Sequence, residues 1–99
     1  MTDFVKDIAD FHEKFGLEYN GPPRKLPADV SAFRRLFLQE ELDEYGASVS
    51  KVGQLDSLVD LVYVALGTAY LHGFDFAEAW RRVHIANMKK VRAAPRKMS

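Results

Sequence analysis

Asp56-Ser57-Leu58-Val59-Asp60-Leu61-Val62-Tyr63-Val64-Ala65-Leu66-Gly67 reads as the heart of a long helix, yet it carries two acids in a run otherwise almost wholly apolar. Asp60 breaks the apolar series Leu58–Leu66, and Asp56 stands four residues before it, so a helix sets the two on one face as repelling neighbours. A second acidic cluster lies upstream in Leu38-Gln39-Glu40-Glu41-Leu42-Asp43-Glu44-Tyr45. There the apolar stripe of Phe33 and Phe37 continues, by helical steps of four and three, into Glu41 and Glu44. No basic residue stands three or four positions from Glu41, Glu44, Asp56 or Asp60. Carboxylates in core phase need a partner or a cation. Two facing clusters of oxygen donors suit a hard divalent ion, Mg²⁺ or Mn²⁺. A solvated helix face accounts for Glu40 and Asp43 equally well, but not for the phase of Glu41, Glu44 and Asp60. Asp56, close to a helix start, admits a capping or dipole role beside ligation.

Outward from these clusters, the punctuation divides the chain into four helices. The first is expected over Asp3–Phe15, capped by Asp3 and stopped by Gly16, with Phe4, Ile8, Phe11, His12 and Phe15 as its apolar stripe. His12 on that stripe is expected to be a hydrogen-bonded core residue. Asn20-Gly21-Pro22-Pro23 and Pro27 bound an irregular loop whose Arg24 and Lys25 have no evident partner. The second helix runs over Ala28–Ala47, entered through Asp29; its Arg34 and Arg35 have the acidic cluster, a partner subunit and phosphate as open alternatives. After a turn over Ser48–Gly53, the third helix runs over Gln54–Leu71 and is apolar round most of its circumference, which predicts complete burial in a bundle or between subunits. Asp56, Asp60, Tyr63 and Gly67 form one seam along it, and Gly67, about 1 kcal/mol worse than Ala in a helix interior, predicts a close approach there. Asp75-Phe76-Ala77-Glu78 opens the fourth helix as a capping box, with Trp80, Val83, His84, Asn87 and Val91 on its inner face. Residues 92–99, with Pro95, are expected to form a frayed tail.

Ninety-nine residues make a single domain, and no strand-like alternation or repeat is present. The expected class is therefore all-α, a four-helix bundle. Helix three exceeds what so small a bundle can cover, so an obligate homo-oligomer is expected. Fourteen basic residues balance fourteen acidic ones, leaving no field to attract nucleic acid or anionic membrane. The absence of cysteine excludes disulfides, thiolate metal sites and cysteine nucleophiles. The start Met1-Thr2-Asp3-Phe4 lacks a secretory pattern and the apolar run Leu61–Leu71 is too short for a bilayer, so a cytoplasmic protein is expected. A carboxylate-bridged di-iron centre would need Glu-x-x-His pairs, but Ala9, Ala69 and Arg81 stand three residues before His12, His72 and His84. A DNA-binding helix would need a basic face, and a non-enzymatic dimerisation module leaves Asp60 without a purpose.

Four segments together resemble the all-α nucleotide pyrophosphohydrolases, the group of MazG-like enzymes and phosphoribosyl-ATP pyrophosphohydrolases. They are Phe11-His12-x-x-Phe15, Glu40-Glu41-Leu42-x-Glu44, the run from Asp56 to Ala69 followed by Gly73-Phe74-Asp75, and Val83-His84-x-x-Asn87-Met88-x-Lys90. Two departures stand out: Ser57 occupies a position where many relatives carry Glu, with Asp56 one residue earlier, and Ile85-Ala86 replaces a frequent Arg-Ser. The resemblance implies a four-helix MazG-like domain over residues 1–99 that cleaves a nucleoside triphosphate between the α and β phosphates with Mg²⁺. Phosphoribosyl-ATP is the alternative substrate. It further implies Glu41, Glu44 and Asp60 as metal ligands, and Glu40 and Asp56 as further ligands or water-orienting groups. Tyr63, Asn87 and Lys90 would contact substrate, in a homodimer or homotetramer with sites near the subunit contacts.

Overall fold

A computed structural model of the protein describes residues 2–91. It contains four helices: α1 (Phe4–Lys14), α2 (Ala28–Ala47), α3 (Lys51–His72) and α4 (Phe76–Met88). Among the described residues there is no strand, so the class is all-α. The expected tail over 92–99 lies outside the described residues.

Local chemistry sets the ends. The Asp3 side chain accepts from the Lys6 N–H at 3.0 Å, and Asp75 from the Glu78 N–H at 3.1 Å. The capping box of α4 forms only in this half, because the Glu78 carboxylate turns to Arg81 and Arg82. Helices α1 and α3 stop alike. Gly16 (φ 69°) and Gly73 (φ 76°) take the left-handed conformation that a Cβ opposes. The N–H of Leu17 then bonds the His12 carbonyl at 2.8 Å, and that of Phe74 the Ala69 carbonyl at 3.1 Å. Helix α3 begins a turn earlier than its apolar pattern suggests, because Ser50 caps it through the Gly53 N–H. Asp56 therefore sits more than a turn inside the helix, which removes its capping role. Pro27 precedes α2 without a side-chain cap, and Asp29 serves the first turn by its charge.

Helices α2 and α3 form a hairpin, α1 lies across α3, and the core between them is small: Ile8, Leu26, Val64, Leu66 and Ala69. His12 is buried there, donating from Nδ1 to the Ile8 carbonyl at 2.8 Å and stacking on Tyr70 at 4.3 Å. The loop cations separate. Arg24 joins the loop to the end of α3, where its Nε donates to the Leu71 carbonyl and its backbone N–H to that of His72. Its guanidinium lies 3.7 Å above the Tyr19 ring. It is thus a helix-terminating cation.

Of the two covers expected for α3, its own chain does not supply one, and the inner face expected for α4 requires correction. Helix α3 is not enclosed by its own chain, for Leu55, Leu58, Val59 and Val62 are all exposed. Periodicity reports which faces are apolar, not whether one chain is large enough to cover them. Helix α4 has no buried residue; the chain turns through 117° before it, and the supposed inner face of Trp80, Val83, Asn87 and Val91 meets solvent. Three helices pack, and the fourth stands off.

Candidate active site

Glu41 lies on the face of α2 turned to α3, only 9% exposed. Its Oε2 is fully buried and has no hydrogen-bond partner. A buried anionic oxygen without donor or cation is costly and uncommon. Its surroundings make the position worse. Burial, followed by the negative charges of Glu44 and Asp60, with Glu40 adding to them, raises the Glu41 carboxyl above its ordinary value. Glu40, Glu44 and Asp60 are themselves exposed. The arrangement is one carboxylate at the floor and three at the rim.

The local sequence explains why. Helical steps carry Phe37, Glu41 and Glu44 along one face, and the antiparallel hairpin brings Asp60 of α3 opposite. Behind the acids, the Ser48 hydroxyl donates to the Glu44 carbonyl at 2.7 Å and lies 3.4 Å from the hydroxyl of buried Ser57. Ser57, in the second turn of α3, thus packs its small side chain against the end of α2.

Of the residues singled out from sequence, Glu40, Glu41, Glu44 and Asp60 come together. Asp56 is exposed and is not among the charges that act on Glu41. Tyr63 is exposed, edge-on to Phe11 at 5.6 Å, one turn along the seam from Asp60. Asn87, at the far end of α4, and Lys90, just past it, are exposed. Among the described residues no three acidic or imidazole side chains converge closely enough to hold an ion as they stand. The donor set nevertheless fits a hard divalent cation: all oxygen, one atom buried and unpartnered, no competing lysine or arginine.

The model of the phosphoribosyl-ATP pyrophosphohydrolase family matches residues 8–87, a span that runs from α1 through the acids of α2 and α3 to Asn87. The chain belongs to the phosphoribosyl-ATP pyrophosphohydrolase family. No curated protein matches the chain closely. The family lies within the MazG-like all-α nucleotide pyrophosphohydrolases, so the protein is a hydrolase acting on phosphoric anhydrides. Sequence reasoning left Arg34 and Arg35 undecided, and the destination of Arg34 was set by a contact between two helices. No single helix is long and apolar enough to cross a membrane.

Proposed function

We propose that the protein hydrolyses a nucleoside triphosphate between the α and β phosphates, giving the monophosphate and pyrophosphate, in a Mg²⁺-dependent reaction that Mn²⁺ also supports. The observation that carries this reading is the buried, unpartnered oxygen of Glu41 among three further carboxylates. Glu41, Glu44 and Asp60 would hold the cation. The cation neutralises phosphate charge and lowers the pKa of bound water. The chain's own residues do the rest. Glu40, exposed on the rim, takes the proton of the attacking water. Water oxygen bonds to one phosphorus of the α–β bridge, and the bridging oxygen leaves with the other. Tyr63 offers an aromatic wall one turn from Asp60.

The same reading needs a second copy of the chain. Asn87 and Lys90 match the family's last motif and suit sugar and phosphate, but α4 stands off its own acids. A homodimer, or a homotetramer built from it, would cover the apolar flank of α3 and dock α4 beside a carboxylate cluster. An apolar groove of about 310 Å³ between α1 and α3, with Phe4, Val59 and Val62 on its walls, is open to such a copy.

The test is pyrophosphate release across a panel of ribo- and deoxyribonucleoside triphosphates, with magnesium and with chelator. Release that requires magnesium is expected. Absence of release from every triphosphate, or indifference to chelator, overturns the proposal. Phosphoribosyl-ATP belongs in the panel as the second reading, favoured by the description of the matching family model; turnover far above that of the simple triphosphates would decide for it. Lys90→Ala is expected to weaken nucleotide binding and leave nucleotide-free magnesium binding unchanged. Sedimentation of active protein as an 11.3 kDa monomer would remove the second copy.

A further inference from the structure

Arg34 is a half-buried cation with no carboxylate partner: none of the ion pairs among the described residues includes it. Burial pushes its guanidinium below the ordinary value. Its donors cross from α2 to α3 instead. Nε donates to the Thr68 hydroxyl at 3.0 Å and Nη2 to the Val64 carbonyl at 2.9 Å, while the Thr68 hydroxyl itself donates to Val64 at 2.8 Å. The guanidinium sits on Gly67, where an added Cβ would lie 2.8 Å from Nη2. This is the close approach implied by a glycine in mid-helix, made by a side chain rather than a helix backbone.

The placement has a consequence for the site. Glu41 lies seven residues after Arg34 on α2, and Asp60 seven residues before Gly67 on antiparallel α3. Both helices run unbroken over those two turns. A contact that fixes Arg34 against Gly67 therefore fixes Glu41 against Asp60, because equal steps of 3.6-residue helix separate the two pairs. The planar fork, held by one hydroxyl and one carbonyl, specifies both axial slide and rotation, which apolar packing alone does less sharply.

We propose that Arg34, seated on Gly67 and fastened to Val64 and Thr68, is a positioning residue that sets the register of α2 on α3 and thereby the affinity of the carboxylate cluster for its divalent cation. This rests on the reading that Glu41 and Asp60 share that cation. The experiment measures Mg²⁺ affinity without nucleotide, by titration and by the magnesium-induced melting shift. Wild type is compared with Arg34→Met, Thr68→Val, Arg34→Lys and the core control Ile8→Val. Loss of about tenfold or more in affinity, the usual effect of removing a support to a metal ligand, is expected for Arg34→Met. Thr68→Val should move the same way, and Arg34→Lys, which keeps the charge but loses the fork, should fall between. Ile8→Val should lower the melting temperature with affinity kept. Unchanged affinity in Arg34→Met and Thr68→Val, or an equal loss in Ile8→Val, overturns the proposal; if Arg34→Met does not fold, Thr68→Val decides by the same criterion. Wild type without magnesium binding that depends on Asp60 would overturn the proposed metal site itself, a separate outcome.

Discussion

Glu41 on α2 and Glu78 on α4 are the same residue type, and they live oppositely. Glu78, in the first turn of α4, has Arg81 and Arg82 at the following turn, and its carboxylate meets both guanidinia. Glu41 has no cation at either helical neighbour, and its Oε2 is buried without any partner. An acid that serves helix stability brings its own counter-charge at i+3 or i+4 and stays near solvent. An acid left unneutralised in a crowded, half-dry position is held there against electrostatics, and the binding of something positive accounts for it.

The comparison breaks first on turnover. Glu41→Gln, Glu44→Gln and Asp60→Asn should each lower pyrophosphate release by about a hundredfold or more. A metal site contributes several kcal/mol to such a transition state, and each 1.4 kcal/mol is about tenfold. Circular dichroism should stay unchanged, and near-normal activity in any two of the three would dissolve the contrast with Glu78. Melting comes next. Magnesium at about a hundredfold over its Kd should stabilise the wild type by about 2.7 kcal/mol, or about 10–20 °C in a domain of this size. Asp60→Asn should melt higher than wild type in chelator, since one repelling charge is gone, and should gain much less from magnesium. The same metal shift in both proteins would show that Asp60 is no ligand.

Acidity sharpens the contrast further. The Glu41 carboxyl is raised above the ordinary 4.5, so the folded state prefers it protonated. Its ionisation then works against the fold as pH rises from 4.5 through its raised value. In chelator, Glu41→Gln should match wild type in stability below that window and exceed it above, as melting curves across pH would record; equal curves throughout would make Glu41 an ordinary acid. The smallest effect belongs to Glu78→Gln, which should leave turnover and the metal shift intact and destabilise by about 0.5–1 kcal/mol, the range of exposed helical ion pairs.

Helices and acids were legible beforehand for one reason: both depend on spacing along the chain. Caps at Asp3 and Asp75, stops at Gly16 and Gly73, and the core phase of Glu41 follow from a 3.6-residue period and short-range hydrogen bonding, whereas Glu44 and Asp60, expected in the same phase, are exposed. The carboxylate that proved buried and orphaned is one that the apolar stripe had singled out. Asp56 was harder to read, because its neighbourhood with Asp60 on one face is local whereas its distance from Glu41 is not.

What a sequence determines alone is therefore the order of faces along each helix; what meets each face is settled only when helices pack. Arg24 had no evident partner in the sequence, and the end of α3, 47 residues away, received it. Arg34 could have turned to the acids of its own helix, and Thr68 and the space above Gly67 drew it across to α3. The exposed flank of α3 and the bare length of α4 belong to the same class, since an apolar face is written in the chain but its cover is a matter of volume and topology. Local periodicity is fixed by covalent geometry, and contacts between distant residues by the tertiary packing that closes over them.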